Sequence, residues 1–382
     1  MKKLSAIPMI ALLALASCSD DDEVTMPADY TEVPEAAVKS SDYSGLYVLD
    51  EGNMGSNKCT LDYMRFSDGV FARNIYPERN PSQALELGDS GNDILISGNR
   101  MYLCISGSNK LEVLDARTAE RIGQVDIPNC RYVETAGGNI YVTSYTGGYT
   151  IDTTQQFGAV YRIDPNTLTV TGKLPVTYWP EEMAAVDGKL YVATSGTAVE
   201  GDYPDNNVLQ IDLASFTIER EIPVGTNLHH IEADTFGHLW VSGRGDYGAR
   251  PSRLYCLSKT AGEYSLDKTI EAACSDFTVC GSTIYFYAAE WNYATSSNTI
   301  TYSKADAATA ALLPGSYIAS SEQSKIDTPY AILANPQNSE IYLTDARNYV
   351  SSGSLHCIGT DGMIRWSVTT GDIPGHLALL KK

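Results

Sequence analysis

The sequence predicts an all-β fold, a seven-bladed β-propeller closed by pairing the C-terminal strand with the N-terminal blade. The first observation is a strand signature, an aromatic residue between aliphatic ones, which recurs about every 49 residues. The second is a hairpin partner at a nearly constant distance upstream of each signature. The third is an incomplete unit at each end of the chain. A β-sandwich would not need such a period, so these features favour a ring of repeats.

The signature supplies the second strand of every unit. Ile140-Tyr141-Val142-Thr143 is a clear example. The seven aromatic positions are Tyr47, Tyr102, Tyr141, Tyr191, Trp240, Tyr285 and Tyr342. Their spacing is that of one four-stranded blade with its loops.

The other strands are placed relative to this signature. In four units an apolar residue lies eight positions upstream of the aromatic one, and these residues are Ile94, Val133, Met183 and Phe277. Turns such as Gly137-Gly138-Asn139 lie between them, as a tight hairpin requires. A third strand, as in residues 110–115, and a fourth, as in residues 216–222, complete the unit.

The two chain ends complete each other. The first unit begins on a second strand, at Leu46, and the chain finishes with a lone strand of the first type at residues 376–380. Pairing of these two strands would make seven blades and would remove an open sheet edge.

Two segments carry a family resemblance. Tyr141-Val142-Thr143-Ser144, and the stretch from Met183 to Val192, resemble the YVTN-type repeat of seven-bladed propellers. The similarity extends from Gly45 to Leu380. It implies the fold and leaves the activity open, because this fold carries many functions.

The N-terminus has the features of a targeting signal. Lys2 and Lys3 precede an apolar run over residues 4–16, which is too short to span a bilayer as a stable helix. Leu15-Ala16-Ser17-Cys18 resembles the lipobox of bacterial lipoproteins. The resemblance implies a signal peptide over residues 1–17 and acylation of Cys18, and the alternative is an ordinary secretory signal with an incidental cysteine.

An acidic segment, Ser19-Asp20-Asp21-Asp22-Glu23, follows directly. Its charge predicts a solvated tether over residues 18–41, with the propeller over residues 42–382. The segment also resembles the export signal of surface lipoproteins of Bacteroidota, which implies a lipid anchor in the outer membrane at the cell surface. A plain spacer is the alternative.

Composition excludes several classes of protein. The chain of 382 residues has 25 Tyr but 7 Phe, and 43% of it is hydrophobic, which is enough for a core. Its net charge of −20 argues against nucleic acid as a partner, because phosphate binding needs a basic surface. Seven cysteines follow Cys18, an odd number that cannot form a complete disulfide framework, and their spacing shows no zinc pattern.

The loops before the first strands and after the second strands should lie at one mouth of the ring. They are rich in Tyr, Trp, Arg and Asn, which combine flat apolar surface with hydrogen-bond donors. The predicted ligand-binding residues are Asn92, Arg131, Tyr132, Tyr145, Trp179, His229, Arg244, Trp291, Tyr330, Arg347 and Tyr349.

Catalytic signatures are not found. The sequence has no GxSxG elbow, Walker loop or metalloprotease helix. His229 and His230 should point to opposite faces of their strand, because side chains alternate along a strand. Asp93, Glu181, Glu182 and Asp276 are placed either to form a carboxylate cluster round the channel, with a calcium site left open, or to bind inner-strand backbone. We therefore predict no catalytic residue, no metal ligand and no cofactor.

The lipobox, the acidic segment, the YVTN-type repeats and the aromatic loops together resemble the BtuG family of surface lipoproteins. The resemblance implies that the chain captures cobalamin as a transported ligand and delivers it to a TonB-dependent outer-membrane transporter. In that interpretation aromatic residues pack on the corrin ring, and Arg or Asn bind its amides. The alternatives are a glycan- or protein-binding adhesin and a lactonase-like propeller hydrolase.

Overall fold

The computed structural model describes residues 27–37, 41–83, 86–146, 158–176, 179–196, 206–247, 249–292 and 297–382. These residues form seven antiparallel sheets arranged as a seven-bladed propeller, as predicted. The predicted signal peptide over residues 1–17 and the predicted acylation site at Cys18 lie outside the described residues. Among the described residues, no helix is long and apolar enough to cross a bilayer.

Blade one joins the two ends of the chain. Its strands are β1 (Asp29–Glu32), β2 (Tyr43–Asp50), β3 (Thr60–Arg65), β4 (Val70–Arg73) and β29 (Pro374–Lys381), in the order β29-β2-β3-β4-β1 from the channel outwards. The innermost strand, β29, pairs with β2, with Leu46 opposite Leu379. This pairing confirms the predicted closure of the ring.

Strand β1 is an addition that the sequence did not predict. It lies within the expected tether and pairs with the outer edge of β4, with Asp29 opposite Arg73. The Ala28 amide and the Tyr30 hydroxyl both donate hydrogen bonds to Glu78. An open sheet edge exposes unpaired backbone groups, and the strand satisfies those of β4.

Blades two to seven each contain four consecutive strands, with the first strand at the channel. Their bounds are β5 (Gly91–Ser97), β6 (Arg100–Ile105), β7 (Lys110–Asp115) and β8 (Arg121–Asp126); β9 (Cys130–Ala136), β10 (Asn139–Ser144), β11 (Gly158–Asp164) and β12 (Thr169–Val176); β13 (Pro180–Val186), β14 (Lys189–Thr194), β15 (Asn207–Asp212) and β16 (Thr217–Pro223); β17 (Leu228–Ala233), β18 (Leu239–Gly243), β19 (Arg253–Thr260) and β20 (Glu263–Ile270); β21 (Asp276–Cys280), β22 (Thr283–Asn292), β23 (Ser297–Asp306) and β24 (Ala311–Leu313); β25 (Pro329–Ala334), β26 (Ile341–Asp345), β27 (Ser352–Ile358) and β28 (Ile364–Asp372).

In the described part of the chain, the helical segments lie in connections between strands. A 3₁₀ turn (Pro34–Ala36) follows β1, α1 (Ile75–Arg79) follows β4, and α2 (Ser320–Gln323) precedes β25.

The core is divided among the contacts between neighbouring blades. In the described residues, seven buried apolar clusters surround the channel. Six of them contain one aromatic residue of the predicted signature, and the partly buried Tyr285 packs against the seventh. Tyr47 of blade one, for example, packs with Met101 and Leu103 of blade two and donates a hydrogen bond to the Ala116 carbonyl at 2.9 Å. The second-strand aromatic residues therefore hold each blade to the next one, because each buries a large apolar surface at that contact.

Candidate functional site

The inner strands share an irregularity where they reach the mouth of the ring. In six of the seven blades the register between the first and second strands shifts at this point, and blade six is the exception. Such a β-bulge places an extra residue in the bulged strand and turns its side chains out of simple alternation.

Hydroxyl groups of the second strands bind backbone amides at three of these bulges. Thr143 accepts a hydrogen bond from the Tyr132 amide at 3.0 Å, and Ser242 accepts one from the His230 amide at 3.0 Å. Thr344 accepts one from the Ala331 amide at 2.8 Å. These hydroxyls thus give the amides of the bulged strands a hydrogen-bond partner, which stabilises the bulges.

The bulge in blade five makes one expectation wrong. His229 and His230 were expected to point to opposite faces of the strand, but their ring centroids lie 3.7 Å apart and both line one cavity. The register shifts between Leu228 and Ile231, the residues on either side of this pair, so regular alternation does not apply here.

That cavity, called the mouth cavity below, has a volume of about 760 Å³. Blades five, six and seven provide most of its walls. Its lining residues are Glu51, Asn92, Arg131, Tyr132, His229, His230, Arg244, Tyr247, Arg250, Pro251, Ser252, Cys274, Ser275, Asp276, Tyr287, Ala289, Glu290, Trp291, Pro329, Tyr330, Tyr349, Gly375 and His376.

Eight of the eleven predicted ligand-binding residues line the mouth cavity, and they are Asn92, Arg131, Tyr132, His229, Arg244, Trp291, Tyr330 and Tyr349. The structure brings these residues together from five blades. The other three, Tyr145, Trp179 and Arg347, are not among its lining residues.

Tyr145 and Trp179 lie behind the cavity wall. Their rings stack with centroids 4.7 Å apart, and the Tyr145 hydroxyl donates a hydrogen bond to Glu181. The Arg131 guanidinium lies over the Tyr145 ring at 4.7 Å, and its Nη2 is 3.9 Å from Glu181 Oε2. These residues therefore support Arg131 in the wall.

Arg347 has a local role. Its Nη2 donates a hydrogen bond to Ser354 Oγ at 2.7 Å, and its carbonyl accepts one from Thr328. The side chain is exposed, and it braces the loop after β26.

Tyr132 is a buried lining residue of the mouth cavity that contacts three histidines. Its hydroxyl lies 2.7 Å from His229 Nε2, and its ring meets His230 and His376 edge to face, with centroids 6.0 and 6.5 Å away. Burial, and after it the charge of Arg244, holds the pKa of His229 well below its usual value. His229 is therefore a neutral partner of Tyr132.

Two residues of the cavity with strongly shifted pKa values, Glu51 and His376, are not among the predicted ligand-binding residues. Glu51 Oε1 lies 3.7 Å from His376 Nε2. Burial raises the pKa of Glu51 to about 7, and burial lowers that of His376 to about 3. The strand pattern gives the positions of both, since Glu51 directly follows β2 and His376 lies in β29, but only the closure of the ring brings them together.

Below the mouth cavity, the channel has a volume of about 360 Å³. Its lining residues are Asp93, Ile94, Leu95, Val133, Glu134, Glu182, Met183, His230, Glu232, Asp276, Phe277, Thr278, Ala331, Ile332, Leu333, Gly375, His376 and Leu377.

The channel carboxylates bind the backbone of the next blade. Asp93 accepts a hydrogen bond from the Val133 amide at 2.8 Å, and Glu182 accepts one from the Ile231 amide at 2.8 Å. Glu232 accepts one from the Val279 amide at 3.0 Å. Of the two alternatives for these acids, the structure favours the backbone role.

Glu182 and Asp276 also hold His230 between them. Its Nδ1 lies 3.2 Å from Glu182 Oε2, and its Nε2 lies 3.5 Å from Asp276 Oδ1. Burial disfavours the charge on His230, yet Asp276 and Glu182 raise its pKa to about 9. Glu181 does not join this group, because it points to Arg131 and Tyr145.

Burial also raises the pKa of the channel acids. The pKa of Asp93 is about 8, from burial and the nearby Glu182 charge, and that of Glu232 is about 8, mainly from burial. In the part of the chain that the structure describes, no three His, Cys, Asp or Glu side chains form a metal-binding group. The seven described cysteines are buried and unpaired.

Comparison with solved structures supports the fold. The periplasmic gluconolactonase PpgL of Pseudomonas aeruginosa is 10% identical, with 88% of this chain and 99% of that one covered and a TM-score of 0.58. A quinonprotein alcohol dehydrogenase-like protein of Bacteroides thetaiotaomicron is 15% identical, with 89% and 79% covered and a TM-score of 0.59. Hydrazine synthase of Kuenenia stuttgartiensis is 14% identical, with 76% and 95% covered and a TM-score of 0.58. At these identities the likeness shows the propeller alone.

No curated protein is significantly similar to the chain in sequence. One family model, described as a domain of unknown function (DUF5074), matches residues 44–356. The match covers almost the whole propeller, from β2 into β27, and therefore the chain belongs to the DUF5074 family.

Proposed function

We propose that the protein is a non-catalytic capture module that binds a cobalamin-type corrinoid in the mouth cavity. In this proposal Cys18 is acylated and anchors the chain in the outer membrane at the cell surface. The bound corrinoid then passes to a TonB-dependent outer-membrane transporter.

The observation that carries the proposal is the wall of the mouth cavity. Six aromatic side chains line it, and they are Tyr132, Tyr247, Tyr287, Trp291, Tyr330 and Tyr349. Its volume of about 760 Å³ lies in the range of small-molecule sites. A large ring system with amide arms needs flat apolar surface with donors between the rings, and this wall supplies both.

The aromatic side chains are held before any ligand arrives. The Tyr287 hydroxyl donates a hydrogen bond to the Tyr330 carbonyl at 2.5 Å, and the Tyr330 and Tyr349 rings pack edge to face with centroids 5.7 Å apart. A site that is already ordered loses less conformational entropy on binding. This rigidity supports capture of a scarce ligand.

The state of the histidines supports binding over hydrolysis. His230 has a carboxylate at each ring nitrogen, and His229 is hydrogen bonded to Tyr132. A general base has to reach the proton that it removes, and these side chains are already engaged within the protein.

Isothermal titration of the purified protein with cyanocobalamin tests the proposal. We expect saturable one-to-one binding, and loss of binding when Tyr132 and Tyr330 are both replaced by Ala in a variant that still unfolds cooperatively. A glycan panel and a lactone hydrolysis assay run beside it. Absence of binding heat at micromolar protein would contradict the corrinoid proposal. Binding in the glycan panel would then favour the adhesin alternative, and lactone hydrolysis would favour the hydrolase alternative.

The anchor is tested separately. Metabolic labelling with a palmitate analogue should mark the full chain, and the Cys18→Ser variant should lose the label and leave the membrane fraction. Labelling of the Cys18→Ser chain at the wild-type level would contradict the anchor and leave the binding proposal standing. Co-purification of a transporter with the acylated chain from solubilised membranes tests the partner.

A further inference from the structure

Arg244 differs from the other basic residues of the mouth cavity in its side-chain contacts. Arg131 Nη2 approaches Glu181, Arg250 Nη1 donates a hydrogen bond to Thr226 Oγ1 at 3.1 Å, and His230 lies between two carboxylates. Within the described ranges, the Arg244 guanidinium makes no hydrogen bond, ion pair or ring contact, although it lines the cavity.

The backbone around Arg244 is firmly held. Its amide donates a hydrogen bond to the Asn227 carbonyl at 2.9 Å, and the Asn227 side chain donates one to the Gly245 carbonyl at 3.2 Å. Asn227 is buried and has a φ of 57°, a left-handed conformation that Asn tolerates better than most residues. Arg244 therefore leaves the end of β18 from a fixed position.

The acids that line the cavity make their direct contacts with other groups, and Glu181 and Glu51 act on Arg244 only through their nearby charge. Asp276 faces His230, Glu51 faces His376, and Glu290 accepts a hydrogen bond from Ser252 at 3.3 Å. A guanidinium carries five donors and keeps its charge, so one that is left unpaired in a partly enclosed cavity is stabilised most by an anionic partner.

We infer that Arg244 forms a subsite for an anionic oxygen group, a phosphate ester or a carboxylate, on the ligand that fills the mouth cavity. Such a group receives two parallel N–H donors from the guanidinium, a geometry that Lys does not reproduce. The inference deepens the proposed function, on which it rests for the ligand, since cobalamin carries one phosphodiester in its nucleotide loop.

The ligand pair that tests this group is cyanocobalamin and dicyanocobinamide, because the second has the corrin ring and amides but lacks the nucleotide loop with its phosphodiester. The Arg244 variants then separate the phosphodiester from the rest of the loop. We expect the wild-type protein to bind cyanocobalamin about 10- to 100-fold more tightly. The Arg244→Gln variant should lose this preference, and Arg244→Lys should keep only part of it. Arg117→Gln, an exposed cation in the turn after β7, is the matched control and should behave like wild type.

A second measurement is independent of corrinoids. Phenyl phosphate, benzoate and phenol are titrated separately into wild-type protein and Arg244→Gln, with thermal unfolding showing that the variant folds. The subsite predicts that phenyl phosphate or benzoate binds wild type and not the variant, and which of the two binds tells phosphate from carboxylate. Phenol should bind neither.

The outcomes separate the two proposals. If neither corrinoid binds but an aromatic anion binds through Arg244, the corrinoid function fails and the subsite stands. If both corrinoids bind equally to wild type and Arg244→Gln, and the anions do not bind, the subsite is refuted while the corrinoid function stands.

Discussion

The mouth cavity and the channel are lined by the same inner strands, yet they use their polar side chains in opposite ways. In the channel, Asp93, Glu182 and Glu232 each accept a backbone hydrogen bond from the next blade. In the mouth cavity, Arg244 and the edges of several aromatic rings are left facing open space. The comparison teaches that the channel carboxylates connect neighbouring blades, whereas the Arg244 guanidinium at the mouth is available to a ligand.

The bulges separate the two regions. Asn92 lines the mouth cavity while its neighbour Asp93 lines the channel, and the register shift in blade two lies at this pair. One irregular step in a strand thus lets consecutive residues serve different purposes.

The largest expected effect is on the channel. Glu182→Ala removes the acceptor of the Ile231 amide and one partner of His230, so we expect the free energy of unfolding to fall by about 2–4 kcal/mol. Denaturant unfolding measures it. Glu263→Ala, a surface acid paired with Arg220, is the control and should change little. A loss no greater than that of the control would show that channel acids do not hold the blades together.

Thr344 tests the closure of the ring. Its hydroxyl accepts from the Ala331 amide and donates to the Pro374 carbonyl of the closing strand at 2.7 Å. Thr344→Val keeps the shape and leaves both groups buried without a partner, so we expect a loss of about 1–3 kcal/mol in unfolding free energy. Thr143→Val, at the equivalent bulge of blade three, should cost less, since Thr143 does not lie at the closure. An equal loss in the two variants would contradict a special role for the closing strand.

The channel also predicts a dependence of stability on pH. Asp93 and Glu232 have a pKa of about 8 in the folded protein, above their ordinary values, and His230 has one of about 9. In each case the folded state holds a proton that the unfolded chain releases at lower pH, so stability is lost as pH rises through 8 to 9. We expect the free energy of unfolding to fall by about 1–3 kcal/mol between pH 7 and pH 9.

Denaturant unfolding at several pH values measures this slope, and Asp93→Asn should flatten part of it. Stability that does not fall over the same interval would mean that the folded protein holds no extra protons on these channel groups at pH 7.

The smallest effect on stability is expected at the mouth. Trp291 is 54% exposed, so Trp291→Ala should leave the unfolding temperature nearly unchanged. Corrinoid binding should weaken by about tenfold, because the ring loses a flat apolar contact. Leu312→Ala, at 53% exposure on the outer strand of the same blade, should alter neither. A large loss of stability in Trp291→Ala with unchanged binding would assign Trp291 to the scaffold.

Much of the scaffold could be predicted because its signals are local. Tyr141 and its equivalents repeat at the spacing of one blade, and the hairpin turns beside them have the residues that tight turns need. The tyrosine excess is explained in part by this repeat, since Tyr47, Tyr141 and Tyr342 are buried between blades.

The mouth was predicted less completely, because strand alternation fails there. Thr143, Ser242 and Thr344 each lie two residues after the aromatic residue of the signature, and their hydroxyls bind the amides of the bulged strands. These hydroxyl positions are the signal from which the bulges could have been inferred. Tyr145 and Trp179 were predicted to line the mouth, but they stack behind Arg131, and this position depends on contacts between blades three and four.

The sequence by itself determined the number of blades, the closure by residues 376–380 and the set of loops that share one mouth, because each depends on spacing along the chain. Only the tertiary structure decided that His229 and His230 share a cavity, that the acids of the channel bind the next blade and that the Arg244 guanidinium lines the mouth cavity without a direct hydrogen bond or ion pair. These features arise where strands from different blades meet, and the distances that control them are set by packing round the closed ring.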